Sequence, residues 1–343
     1  AEEPPMTQPT PNLDRRTFLQ AGAAGLAAAS LVTSAQAAQD KSLGGIPLRP
    51  LGRTGEKVTT IGLGGFHAAV PEPESDSLRL IQRAVDEGIT FLDNAWDYMD
   101  GKAEDRMGKA ISQGGRRDKI FLMTKCCGRT AKDAQSNLED SLRRLRTDHL
   151  DLWQFHEINY DNDPDWVFAP GGALEFALKA REQGKVRSIG FTGHKHPEIH
   201  LKMLAKPYDW VSVQMPLNVL DSQFRSFQHQ VLPELSRRGI ASIGMKSLGG
   251  QGNIVTAAGI PVEDALRYVL SLPIATLVCG IDSEKVLDQN LKIAREFQPM
   301  TQDELAGVEA RFKTIAGDGR YELFKTTQNF DGVAHRKQHG FVS

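Results

Sequence analysis

The sequence predicts an α/β fold: a closed (β/α)8 TIM barrel with an N-terminal β-hairpin and a C-terminal helical or irregular extension. Short apolar, β-branched runs alternate with amphipathic helical runs along the 343 residues. Successive strand runs end roughly 30 residues apart, which is the size of a βαβ unit. Such crossovers require parallel strands, and eight of them close a barrel of about 250 residues.

The first 37 residues are typical of an export signal. The pair Arg15 and Arg16 precedes the Ala/Gly-rich run 21–32 and the small residues Ala35 and Ala37. This order predicts a twin-arginine leader cleaved near Ala37 and a protein that is periplasmic or otherwise exported. Its partner would be the twin-arginine export machinery. The apolar run is too short for a stable membrane span, and a basic amphipathic helix is the alternative.

The region after the leader divides into a linker at 38–45, the barrel at 46–300 and an extension at 301–343. Residues 46–57 contain a turn at Gly55 and predict a hairpin that plugs the barrel floor. Thr301 and Glu304 form a capping box that opens a further helix. The tail from Gly317 is expected to be irregular and to fold over either the mouth or the outer wall.

The barrel elements follow one another in regular order. The predicted strands are 59–63, 89–93, 120–125, 150–156, 186–192, 210–214, 240–246 and 276–280. The predicted helices between and after them are 75–87, 131–145, 173–183, 224–238, 262–271 and 283–297. A doubly wound sheet is the alternative, but Gly62–Gly65 lacks the GxGxxG pattern usual after its first strand.

Composition excludes several classes of function. The formal net charge is −2, so no global positive field attracts nucleic acid. Cys126, Cys127 and Cys279 are an odd set without a CxxC pair, which excludes a disulfide scaffold and a zinc ribbon. His194, His196 and His200 have no carboxylate cluster beside them, so no metal is expected.

Four chemically distinct side chains lie at or just beyond predicted strand ends. Asp93, Lys125 and His156 end the second, third and fourth strands, and Tyr98 follows Asp93 by five residues. Strand ends of a barrel meet at one mouth. An ammonium lowers the pKa of a nearby phenol, and an imidazole can hydrogen-bond a carbonyl. The set suits proton delivery to a carbonyl oxygen while a nicotinamide cofactor supplies hydride.

These residues resemble the catalytic tetrad of the aldo-keto reductases, and the resemblance covers residues 46–298. The segments that carry it are Phe91–Tyr98, Thr124-Lys125, Gln154–His156, Gly190–Gly193, Val213-Gln214 and Gln289-Asn290. The resemblance implies Tyr98 as general acid, Lys125 and Asp93 as groups that tune it, and His156 as the group that orients the carbonyl.

The resemblance also implies a cofactor site and a substrate pocket. The implied cofactor residues are Gly65, Phe66, Thr192, Gly193, Gln214, Met245, Lys246, Ser247, Leu248, Gly249, Gly280, Ser283, Gln289 and Asn290. The implied pocket residues are His67, Trp96 and Met99. The expected substrate is a small-molecule carbonyl or alcohol.

Some positions depart from the family pattern. Thr192-Gly193 stands where Ser-Asn is usual, and Met245 stands where an aromatic ring often stacks on nicotinamide. Lys285 is the only cation in 281–289, where a Lys and Arg pair usually grips a 2′-phosphate. We therefore expect NADP(H) to be only slightly favoured over NAD(H). The alternative function is a cofactor-holding redox sensor or partner-binding subunit with little turnover.

Overall fold

A computed structural model of the chain describes residues 40–341. The predicted leader, its cleavage point near Ala37 and the start of the linker lie outside these residues. Within 40–341, no helix has the length and apolar character needed to cross a membrane.

The predicted barrel is confirmed as a closed ring of eight parallel strands. Strands β3 to β10 follow chain order around the ring, and β10 closes it by pairing with β3. A separate antiparallel pair, β1 and β2, precedes them. The strands are β1 Leu48–Pro50, β2 Lys57–Thr59, β3 Ile61–Gly64, β4 Phe91–Asp93, β5 Phe121–Cys126, β6 Leu150–Phe155, β7 Val186–Thr192, β8 Ser212–Pro216, β9 Ala241–Met245 and β10 Thr276–Gly280.

Helices surround the ring and continue into the extension. They are α1 Gly65–Ala68, α2 Glu74–Asp86, α3 Lys102–Ile111, α4 Ala131–Leu145, α5 Asp163–Phe168, α6 Ala173–Glu182, α7 Pro197–Leu204, α8 Phe227–Gln230, α9 Leu232–Arg238, α10 Asn253–Ala258, α11 Val262–Leu270, α12 Glu284–Arg295, α13 Gln302–Ala316, α14 Leu323–Thr326 and α15 Val333–Gln338. Short 3-10 turns cover Tyr98–Gly101, Arg117–Lys119 and Asp221–Gln223.

The predicted hairpin forms and closes the floor. Leu51 and Val58 are fully buried and pack with Phe91 and Phe121 of the barrel interior. The expected strand 59–63 was wrong at its start. Thr59 belongs to the hairpin, where it pairs with Leu48, and the barrel strand begins at Ile61.

The inward face of each strand changes character along the barrel axis. Phe91 and Met123 belong to the apolar floor cluster, and the residues two positions later are Asp93 and Lys125. Because strand side chains alternate between faces, residues two apart point the same way. One inward face therefore begins apolar at the floor and ends polar at the mouth.

Two further regions differ from expectation. The single helix predicted over 224–238 is two helices, α8 and α9, which are separated at Val231, with Pro233 in the first turn of the second. The extension opens with the predicted capping box of Thr301 and Glu304. Its tail is not wholly irregular, since α14 and α15 lie within it.

Candidate active site

Lys125 is the centre of the polar group at the mouth. Its buried ammonium donates to Asp93 Oδ1 at 2.5 Å and to the Asn94 carbonyl oxygen at 2.6 Å. It lies 3.5 Å from the Tyr98 hydroxyl. A buried ammonium needs a paired carboxylate, so Asp93 pairs with Lys125 and holds it oriented toward Tyr98.

Tyr98 is held by a tight turn after β4. Met99, Asp100 and Gly101 have φ values of 53°, 55° and 87°, a run in the left-handed region that only glycine adopts freely. A Cβ at position 101 would lie 2.4 Å from the Arg144 guanidinium, so glycine is needed there.

The expected lowering of the Tyr98 pKa was wrong. Burial raises the pKa of the phenol well above its usual value, and the carboxylates of Asp93 and Asp97 add to the rise. Tyr98 therefore keeps its proton at neutral pH, as a general acid must before it acts.

His156 faces Tyr98 from the end of β6. The two rings meet edge to face with centroids 5.6 Å apart. His156 Nδ1 lies 3.1 Å from Asp97 Oδ1 and 3.6 Å from Cys127 Sγ. Burial lowers the pKa of the imidazole, which favours the neutral form.

Two polar atoms on neighbouring strands fit an amide ligand. Thr192 and Gln214 pair in register across β7 and β8, and both are buried. Within the described residues, Thr192 Oγ1 and Gln214 Oε1 have no hydrogen-bond partner. A carboxamide of the kind nicotinamide carries would satisfy both atoms. Gly193 beside them packs tightly, since a Cβ there would lie 2.3 Å from the Ile158 carbonyl oxygen.

The predicted cofactor residues 245–249 lie at the end of β9 and in the turn that follows it. Met245 ends the strand, and Lys246 turns the chain with a φ of 55°. Gly249 closes the turn by donating from its amide to the Lys246 carbonyl oxygen at 3.0 Å. Ser247 is buried, and Leu248 packs against the hydrophobic core.

The remaining predicted cofactor residues of the C-terminal half lie at the end of β10 and along α12. Gly280 ends β10 beside His67, whose ring would lie 2.8 Å from a Cβ at position 280. Ser283 caps α12 by accepting a hydrogen bond from the Val286 amide. Gln289 is half-buried and Asn290 is buried on that helix.

The pocket residues divide between two places. Phe66 follows Gly65 in α1 and meets the Tyr98 ring edge to face at 5.6 Å, next to His67. Trp96 instead contacts α4, donating from Nε1 to Asp140 Oδ2 at 3.2 Å. The indole N–H of Trp96 thus has its acceptor in the helical layer, and the pocket role of Trp96 stays a prediction.

The extension supplies residues that sequence reasoning did not assign to the site. Its tail folds over the mouth, the first of the two expected positions. Asp331 accepts from the Tyr160 hydroxyl at 2.6 Å and pairs with Lys195 at 2.9 Å. The Gly332 amide donates to Glu157 at 3.1 Å, one residue beyond His156. The high content of histidine and aromatic residues in the tail was the sequence feature that could have indicated its place at the site.

Comparison with known proteins identifies the family. The model of the aldo/keto reductase family matches residues 60–258. L-galactose dehydrogenase of Arabidopsis thaliana is 31% identical over 321 residues, covering 79% of this chain and 95% of that protein. The chain belongs to the aldo/keto reductase family.

Other relatives match over shorter stretches. The aldo-keto reductase YhdN of Bacillus subtilis is 30% identical over 198 residues, which are 52% of this chain and 55% of that protein. The chain therefore spans about half the length of this relative.

Solved structures share the fold. The holo form of an aldo-keto reductase from Bacillus halodurans superposes with a TM-score of 0.67 at 24% identity, covering 81% of this chain and 99% of that one. An aldo/keto reductase from Klebsiella pneumoniae in complex with NADP and acetate gives 0.63 at 22% identity, covering 77% and 95%.

Proposed function

We propose that this chain is an NAD(P)H-dependent oxidoreductase that interconverts an aldehyde or ketone and an alcohol. The observation that carries the proposal is the convergence of Asp93, Tyr98, Lys125 and His156 at the mouth. The Lys125 ammonium bridges the Asp93 carboxylate at 2.5 Å and the Tyr98 hydroxyl at 3.5 Å.

The proton step belongs to Tyr98. Its raised pKa keeps the phenol protonated until negative charge develops on the carbonyl oxygen. At that point the Lys125 ammonium stabilises the phenolate that forms. Neutral His156, edge-on to the Tyr98 ring, orients the carbonyl by hydrogen bonding to its oxygen.

The cofactor would be held from strand ends on the opposite side of the mouth. Thr192 and Gln214 would bind the carboxamide, and the turn at Lys246–Gly249 would face the pyrophosphate. Bound nicotinamide would supply the hydride that no side chain can donate. NADP(H) is slightly favoured over NAD(H), a preference consistent with the NADP complex of the Klebsiella relative.

We further propose export through the twin-arginine route, on the strength of Arg15, Arg16 and the segment that follows. That route carries folded proteins, so the cofactor would be loaded before export. The substrate would then be a small carbonyl or alcohol compound met outside the cytoplasm.

The test is Tyr98→Phe in the full chain. We expect carbonyl reduction with NADPH to fall about 10²–10⁴-fold, with cofactor affinity unchanged, because only the transferable proton is removed. Tyr208→Phe is the matched control, since the Tyr208 hydroxyl bonds Arg181 in the helical layer. Undiminished turnover in Tyr98→Phe would refute the role of Tyr98. Tight cofactor binding without wild-type turnover on any carbonyl would instead favour the redox-sensor function.

A further inference from the structure

We propose that the mouth contains a divalent-metal site formed by Asp97, Cys127, His156 and His335. Each residue offers one ligand atom, and the four atoms lie within 4.8 Å of one another. Three come from loops at the barrel mouth and the fourth comes from α15 in the extension. No metal is expected from the sequence, where His194, His196 and His200 have no carboxylate cluster beside them. The four residues of this group lie in separate segments of the chain.

The spacing matches the edges of a small coordination polyhedron. Metal–ligand distances of about 2.0–2.3 Å place tetrahedral ligands roughly 3.3–3.8 Å apart. His156 Nδ1 lies 3.1 Å from Asp97 Oδ1 and 3.6 Å from Cys127 Sγ. The longest separation of 4.8 Å closes with a small movement of one side chain.

His335 is buried without a hydrogen-bonded ring nitrogen. It is 1% exposed, and within residues 40–341 neither ring nitrogen has a hydrogen-bond partner, with Nε2 lying 3.7 Å from Glu157 Oε2. The buried Asp97 Oδ1 lies 3.1 Å from His156 Nδ1. A buried imidazole without a partner is destabilising, and a cation shared with Asp97 and His156 would satisfy it.

The extension is seated firmly enough to hold the fourth ligand in place. A Cβ at Gly332 would lie 2.3 Å from Asp97 Oδ2, so the start of α15 rests directly on Asp97. Gln338, near the end of the same helix, donates to the Cys127 carbonyl oxygen at 2.9 Å. The two contacts fix His335 between them.

The donor set selects the class of metal. One thiolate, two imidazoles and one carboxylate suit a borderline cation such as Zn²⁺ and disfavour Mg²⁺ or Ca²⁺, which prefer oxygen ligands. Binding would displace the Cys127 thiol proton to solvent, so affinity would rise with pH.

The site shares His156 with the reductase group. This consequence rests on the proposed function: ligation of Zn²⁺ through Nδ1 leaves only Nε2–H of His156 to bond a carbonyl, and it places a divalent cation beside the reacting group. Zn²⁺ at one equivalent would then change the rate of carbonyl reduction, and a chelator would reverse the change.

The experiment is titration of the metal-free full chain with Co²⁺, followed by displacement with Zn²⁺, in the absence of cofactor and substrate. We expect one equivalent to bind and a thiolate-to-cobalt charge-transfer band to appear. Cys127→Ser should abolish the band. His335→Gln should weaken Co²⁺ binding by more than the roughly 10–100-fold that loss of an outer-shell partner costs.

Cys126→Ser and His339→Gln are the matched controls. Cys126 is the neighbouring buried cysteine, and His339 follows α15 but bonds Asp163 instead. Both should retain the band. A wild-type chain that takes up no stoichiometric Co²⁺, or a band that survives Cys127→Ser, would overturn the proposal. The absence of stoichiometric Co²⁺ uptake by the wild-type chain overturns the proposal even where a variant fails to fold, and failure of the reductase assay has no bearing on that result.

Discussion

The two ends of the barrel are built from opposite chemistry on the same strands. At the floor, Leu152 and Ile243 are fully buried among other apolar side chains under the hairpin. At the mouth, the next inward positions carry Gln154 and Met245, and His156 follows. Moving two residues along a strand thus changes a packed interior into a chemically reactive one.

This difference separates stability from function. Apolar burial at the floor contributes about 25 cal/mol per Å² removed from water. The mouth buries charges and polar atoms whose desolvation costs free energy unless each has a partner. Lys125 and Asp93 meet that cost by pairing, whereas Thr192 and Gln214 retain atoms free to bind a ligand.

The largest effect is expected from Lys125→Met, which removes the buried ammonium at the barrel mouth. Asp93 would remain buried without its partner, and loss of one member of a buried pair costs about 3–5 kcal/mol. Carbonyl reduction should also fall about 10²–10⁴-fold, because the Tyr98 phenolate would lose its stabilising charge. Chemical denaturation and steady-state kinetics measure the two losses. Lys109→Met, which breaks only surface ion pairs, should cost at most about 1 kcal/mol.

Leu152→Ala at the barrel floor is expected to lower the stability of the protein without changing its activity. Removing this fully buried side chain is expected to cost about 2–5 kcal/mol in unfolding free energy. Turnover per folded molecule should stay unchanged. Leu43→Ala is the control, since Leu43 is fully exposed. A loss of turnover as severe as that of Lys125→Met would contradict the separation of the two ends.

The anchoring of the extension is tested by Asp331→Asn. The substitution weakens charge-assisted contacts with Tyr160, His194 and Lys195, for an expected cost of about 1–3 kcal/mol. Hydrogen exchange should accelerate in 317–341 while the barrel strands keep their protection. Asp318→Asn alters an exposed carboxylate of the same extension and should change neither the unfolding free energy nor the hydrogen-exchange rates. Uniform acceleration through the barrel would show that the extension is not a separable layer.

A smaller effect is expected from the pH dependence of cofactor affinity. Burial lowers the pKa of Lys246 to about 8. The nearby cations Lys125 and Lys195 lower this pKa further, and the carboxylates of Glu157 and Asp331 oppose the change. The side chain is charged below that pH and neutral above it. Affinity for the anionic cofactor should therefore fall roughly tenfold as pH rises through 8. Fluorescence titration of NADPH measures it, and an identical profile in Lys246→Met would refute the contact.

The barrel could be predicted from the sequence because the patterns that indicate strands and helices are local. The strands could be predicted from their periodicity. The β/α spacing was then enough to place Asp93, Tyr98, Lys125 and His156 at the same end of the barrel. The sign of the Tyr98 pKa shift could not be obtained from the sequence, since it depends on how deeply the phenol is buried and on which carboxylates surround it. The proximity of His335 to Cys127 could not be predicted either, because sequence periodicity does not indicate where an extension packs on a barrel.

The most direct test of the central claim follows the hydride itself. The full chain is mixed with NADPH carrying deuterium at C4 and with a panel of aldehydes and ketones, and the alcohol products are analysed by mass spectrometry. We expect deuterium at the carbinol carbon for at least one substrate, and its loss in Tyr98→Phe. Failure of the wild-type chain to form a deuterated alcohol from either stereospecifically labelled form of the cofactor would contradict the account.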